Sequence, residues 1–129
     1  KMLRLMGRYG DMWNGSWDDV GNSPKGCARL QPVLDDACEE VGRDPATLER
    51  TVTVLVADET AEPWWEDMPF DNDADLTALR PLHGAPSEIA QTMREFVDLG
   101  VSSIQIHLDP CTVKSIERLA PVLEAFDAG

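Results

Sequence analysis

The residues best suited to chemistry lie in the alternating run 101–108. Ile104, Ile106 and Leu108 fall on one side and Ser103, Gln105 and His107 on the other, the two-residue period of a strand. An imidazole beside an amide and a hydroxyl is a hydrogen-bonding set, and His107 stands at the end of that strand as a candidate donor lining a substrate or cofactor pocket. The plainer alternative is a structural His bonded to a neighbouring loop. Asp11-Met12-Trp13-Asn14 reads as a second short strand running into Gly15. Asn14 offers a donor and an acceptor to a ring edge or a substrate. Trp13 can stack on a flat ligand or pack in a core. Ser16 either contacts a substrate or simply makes the turn. Trp64-Trp65, in a long irregular segment, form a lid over a pocket or plug an apolar gap beneath their own loop.

Other chemistries are poorly served. Asp71, Asp73 and Asp75 alternate, but the Gly and Glu of a calcium loop are absent. His83 lies beside Gly84 and reads as solvated. The three cysteines, Cys27, Cys38 and Cys111, show no CxxC or CxxH spacing, so neither zinc nor a disulfide framework is expected. Cys27 and Cys38, three helical turns apart, read as small buried hydrophobes in a reducing cytoplasm. No GxSxG, Walker A, HExxH or GxGxxG pattern occurs. A formal net charge of −13 argues against nucleic acid and anionic membrane surfaces as partners. No apolar run approaches the roughly 20 residues of a membrane helix. No signal peptide is visible, and the absence of Met at position 1 reads as a truncated or processed product.

These residues need elements to position them. Met2, Leu5, Met6 and Tyr9 repeat at helical spacing over 1–9, with Gly10 as the stop. A loop over 15–23 precedes Ser23-Pro24, a helix start with Ser as N-cap. That helix runs to about Val41 with Cys27, Leu30, Leu34, Ala37, Cys38 and Val41 as its apolar stripe, and Pro32 should bend or break it. Asp44-Pro45 caps a short turn through Leu48. Thr51–Ala57 is β-branched on both faces, the pattern of a strand buried on both sides. Residues 58–85 form a long insert loop. A helix follows from Pro86 to Gly100, with Ile89, Met93, Phe96 and Val97 inward, then the strand 101–108. The last helix starts at Thr112, with Val113, Ile116, Leu119, Leu123 and Phe126 inward and a bend at Pro121. This alternation predicts βα units and a parallel sheet. Three strands cannot close a barrel, which typically takes about 250 residues. The chain is therefore either a small open α/β domain or the last three units of a larger barrel.

The local wording favours the barrel. Arg4 to Asn14 resembles the stretch in luciferase-like monooxygenases where a helix runs directly into the sixth barrel strand. Ala37-Cys38-Glu39-Glu40-Val41-Gly42-Arg43-Asp44-Pro45 resembles a helix end of that family. Gly84-Ala85-Pro86-Ser87-Glu88-Ile89-Ala90 resembles its next helix start, Leu99-Gly100-Val101 with Ile104-Gln105-Ile106 its eighth strand, and Leu119 to Glu124 its closing helix. The segments span nearly all of the chain, and their order and spacing carry the resemblance, since each is a packing or capping pattern. Ala85 departs from the usual Thr or Ser N-cap, which should weaken that helix start by roughly 1 kcal/mol. The acidic, Trp-rich insert at 59–75 has no counterpart.

The resemblance implies the C-terminal three βα units of a (β/α)8 barrel, with residues 1–129 as one partial domain. The parent would be a cytoplasmic oxidoreductase, and the resemblance is compatible with a homo-oligomer. It would use reduced FMN for monooxygenation, or the deazaflavin coenzyme F-420 for hydride transfer, on a small organic substrate. The family's first five strands, and with them the main phosphate site, fall outside this chain. The implied site comprises His107 as catalytic residue, Trp13, Asn14, Ser16 and Gln105 in the pocket, and Trp64 and Trp65 as lid, without a metal. Two other readings stand beside it: a non-enzymatic acidic α/β interaction module, and a different barrel enzyme such as a metal-dependent hydrolase. The second would need carboxylate and His ligands on strand ends, where only His107 qualifies.

Overall fold

A computed structural model of the chain describes residues 2–67 and 80–129. The elements follow in the order α1 (Met2–Tyr9), β1 (Met12–Gly15), α2 (Pro24–Glu39), a 3-10 turn (Pro45–Thr47), β2 (Glu49–Ala57), a second 3-10 turn (Trp64–Asp67), α3 (Pro86–Asp98), β3 (Ser103–Asp109) and α4 (Val113–Asp127). The expected alternation is present, and every strand pair is parallel. The sheet has the order β1-β2-β3, with Asn14 opposite Thr51, Thr53 opposite Gln105 and Leu55 opposite His107.

One face of the sheet is dry. Val52, Val54 and Val56 of β2 and Ile104, Ile106 and Leu108 of β3 pack against Cys27 of α2, against Ile89, Ala90, Met93 and Phe96 of α3, and against Val122 of α4. Among the described residues no α-helix covers the other face of β3, where Ser103, Gln105 and His107 are exposed.

Helix ends follow local chemistry. Ser23 accepts the backbone N–H of Gly26, and Pro24 takes the first helical position, as both residue types favour. α2 runs unbroken through Pro32, whose ring is exposed. It stops at Glu39, two residues before the expected end, and Gly42 (φ +74°) turns the chain while the Arg43 N–H returns to the Cys38 carbonyl. The Arg43 guanidinium then reaches the carbonyls of Gly7 and Gly10 at the end of α1. A cation there satisfies acceptors that the helix leaves open. At α3 the Glu88 carboxylate accepts the Ala85 N–H at 2.8 Å. Ala85 has no oxygen to return the bond, so half of a capping box remains.

The inward faces of α4 and α3 differ from expectation. In α4, Val113, Ile116 and Leu123 are exposed (73, 56 and 44%), and Ser115 and Val122 are buried instead. Ser115 turns inward because its hydroxyl donates to Asp58 at 3.0 Å, which fixes the rotation of the helix. In α1, Met2, Leu5 and Tyr9 are exposed, while Gly7 faces the Ala37 carbonyl so closely that a β-carbon there would stand 2.8 Å from it. On α3, Val97 is also exposed. The helices at the two ends of the layer thus each leave several apolar residues exposed, with both sheet edges unpaired among the described residues.

Candidate functional site

The uncovered face of the sheet carries a lateral chain of hydrogen bonds. Thr51 Oγ1 donates to Asn14 Oδ1 (2.9 Å), Asn14 Nδ2 donates to Thr53 Oγ1 (3.0 Å), and Thr53 Oγ1 donates to Gln105 Oε1 (3.1 Å). Parallel register makes this possible, because it sets side chains of the same parity side by side across all three strands. Bonds running in one direction fix the amide of Asn14 and leave that of Gln105 free to present its N–H groups outward. Both residues singled out from the sequence therefore share one surface.

Above this chain, at the C-terminal ends of the strands, the face turns aromatic. Trp17 (8% exposed) lies on buried Leu55, with Trp65 packed against the pair. The Trp17 and Trp64 rings meet edge to face at 5.7 Å, and Trp64 meets Trp65 at 5.6 Å, separations at which such pairs attract. His107 stands beside this group, 6.2 Å from Trp17 and 6.4 Å from Trp64. The Trp64 Nε1–H donates to Asp109 Oδ2 at 2.6 Å. Asn14, Gln105 and His107 thus form one surface with Trp64 and Trp65 at its upper end.

Trp13 does not join them. It pairs in register with Arg50, on the helix side of the sheet, and packs against the main core. Adjacent side chains of a strand point to opposite faces, so of Trp13 and Asn14 only one can reach the rim, and the amide takes that place. Ser16 is half-buried in the turn, its carbonyl accepting the Val20 N–H. His83 is exposed in its loop. Asp71, Asp73 and Asp75 lie outside the described residues. Among the described residues no cluster of His, Cys, Asp or Glu is arranged to hold a metal ion, and no helix is long and apolar enough to cross a membrane. Cys27 and Cys38 are buried thiols and Cys111 is an exposed one. Burial pushes the Cys27 thiol up from its ordinary value, the direction that disfavours the nucleophilic thiolate.

Four contributors escaped the sequence reading: Trp17, Asn22, Asp58 and Asp109. Trp17 carried a signal, since a tryptophan two residues beyond a strand end, in a loop otherwise polar, has little reason to be there unless it covers something. Asp58 follows β2 and binds the start of α4. It accepts from the Thr60 hydroxyl and N–H, from Ser115 Oγ (3.0 Å) and from Arg118 Nη1 (3.0 Å). These bonds, that of the Thr60 hydroxyl foremost, hold its carboxyl down to about 2. A carboxyl lowered on folding stabilises the fold above its unfolded value, near ~3.9, and that contribution disappears as pH falls through the folded value. Asp58→Asn should therefore lower the urea midpoint near neutral pH. The gap to the unaltered protein should narrow below about pH 4 and close towards about pH 2; a gap independent of pH would contradict the assignment.

No protein-family model matches the chain, and no curated protein matches it.

Proposed function

We propose that the chain forms the last three βα units of a luciferase-like, flavin- or deazaflavin-dependent oxidoreductase barrel, with the polar face of its sheet turned to the lumen. The observation that carries this reading is the position of His107. Its ring lies on the uncovered face of an all-parallel sheet, at the C-terminal strand ends and beside two tryptophans. Barrel enzymes build their sites at that end. The outward apolar residues of α1 and α4 support it too, because further βα units on both sides would bury them.

The donor set fits the ring edge of a flavin or deazaflavin. The Gln105 amide and the His107 imidazole offer hydrogen bonds to a planar heterocycle with alternating donors and acceptors, and Trp17 and Trp64 offer apolar ring surface beside them. Arg118, at the start of α4, is engaged by Asp58 and Glu59, so the cofactor's phosphate would be held elsewhere in the barrel. The bound cofactor would supply the redox chemistry, on reduced FMN with dioxygen or by hydride transfer on the deazaflavin. This chain's residues would orient its ring and keep water from it. The enzyme would be cytoplasmic and act on a small organic substrate, with Cys27 and Cys38 kept as thiols.

In the complete enzyme, His107→Ala should lower kcat/KM about tenfold, the loss of one hydrogen bond of roughly 1.4 kcal/mol. Unchanged kcat and unchanged KM would remove His107 from the site. The 129-residue chain alone should bind flavin weakly, and a nanomolar Kd by fluorescence titration would overturn the division of the cofactor site between this part and the rest.

A further inference from the structure

The orientation of Trp64 has to be set from outside its own segment. The residue opens a single 3-10 turn, Trp64–Asp67, and is 39% exposed, so neither a long element nor close burial holds it. Ring contacts with Trp17, Trp65 and His107 attract it but constrain direction poorly. Its side-chain hydrogen bond, from Nε1–H to Asp109 Oδ2 at 2.6 Å, is directional and charge-assisted.

The acceptor is far better anchored than the donor. Asp109 is the last residue of β3, two beyond His107 and therefore of the same parity. Its carbonyl accepts the Asp58 N–H at 3.1 Å, tying it to the end of β2. Asp58 is itself held by Ser115 and Arg118. The carboxylate thus stands on the sheet, and the indole comes to it from the loop.

We propose that Asp109 is a positioning residue: by accepting the indole N–H it fixes the plane of Trp64 against Trp17 and beside His107, giving the strand ends a rigid aromatic wall suited to a flat ring. The inference concerns the site described above but rests on these four side chains alone, so it stands or falls independently of the flavin reading.

Proton NMR tests it without any ligand. The chain has two histidines, so His107 can be followed with exposed His83 as internal reference. Asp109→Ala should abolish the Overhauser contacts between the Trp64 and His107 rings and move the His107 ring protons towards their free-imidazole positions, with His83 unmoved. Asp109→Asn should keep both features, because its side-chain carbonyl still accepts the indole N–H. Contacts that survive in Asp109→Ala overturn the proposal, and so does their equal loss in Asp109→Asn. Should Asp109→Ala fail to fold, the unaltered protein decides: the Trp64 Nε1–H should exchange with solvent at least about tenfold more slowly than free indole, and exchange at the free rate overturns the proposal.

Discussion

Phe96→Ala is expected to cost about 3–5 kcal/mol of stability, read as a fall in urea midpoint at unchanged slope. Phe96 is fully buried (0% exposed), the largest such side chain among the described residues. It lies on the face of α3 that meets the sheet, in one cluster with Val52, Val54, Met93, Val101 and Val122. Removing the ring loses its transfer energy and leaves a cavity that strands on one side and helices on the other cannot close without shifting. Domains of this size are stable by only about 5–15 kcal/mol, so the variant would lose a large part of its margin. The neighbouring Val97→Ala is the control. Val97 is 46% exposed, and its truncation should cost under about 1 kcal/mol, since surface changes remove little buried area. Equal costs at the two positions would mean that α3 does not pack through Phe96.

That pair also marks where the sequence was legible and where it was not. Periodicity located α3 and gave Ile89, Met93 and Phe96 their inward direction, because three residues at helical spacing define a face. It placed Val97 inward as well, since a stripe read from sequence has no measure of its own width. The buried width depends on how many neighbours the layer has. The same limit explains α4, where apolar spacing pointed to Val113, Ile116 and Leu123. Apolar spacing alone does not establish burial, since apolar side chains also stand on protein surfaces. The rotation of α4 is settled by Ser115, a polar residue that periodicity counts against burial, through its bond to Asp58. The strands were more legible. Two-residue alternation put Gln105 and His107 on one face and Ile104, Ile106 and Leu108 on the other, and parallel order followed from the βα alternation. At the site, Asn14, Gln105 and His107 could be found because they lie in strands, where parity gives direction. Parity also gave Asp109 its face, and Trp17 stood out as a tryptophan in a polar loop, but the bond from Trp64 to Asp109 and the seat of Trp17 on Leu55 depend on loops folding over strand ends, and no local period encodes that.

Asn22→Ala should cost about 2–4 kcal/mol, although its position is a turn. Asn22 is 3% exposed and adopts φ +49°, in the left-handed region that Asn tolerates better than other side-chain-bearing residues. Its amide acts as a spare peptide group. Oδ1 accepts the Leu55 N–H at 2.8 Å, and Nδ2 donates to the carbonyls of Leu55 (2.8 Å) and Arg80 (2.9 Å). β1 has ended by then, its last pair being Gly15 with Val52, and beyond it the Asn22 amide shares that edge of β2 with Leu82, whose N–H donates to the Leu55 carbonyl at 2.8 Å. Alanine would remove all three bonds and strand the N–H of fully buried Leu55, a loss of about 1–3 kcal/mol. It would also pay roughly 1 kcal/mol or more for the left-handed backbone. Asn22→Gly separates the two terms, because glycine takes that φ freely and makes none of the bonds; it should recover the backbone part alone. Asn22→Asp should not rescue the loss, since a carboxylate keeps the bond from Leu55 N–H but faces two carbonyl oxygens with charge in place of donors. Urea unfolding of the three variants gives the order, and a cost below about 1 kcal/mol for Asn22→Ala would show that the amide does not carry the strand edge. The effect should reach the rim as well. The Asn22 N–H donates to the Trp17 carbonyl at 2.7 Å, and Trp17 lies on Leu55, the residue whose backbone Asn22 holds. Near-ultraviolet circular dichroism of Asn22→Ala should therefore lose tryptophan signal at urea concentrations where the helices persist, because the turn that seats Trp17 comes loose before the core beneath α3 does.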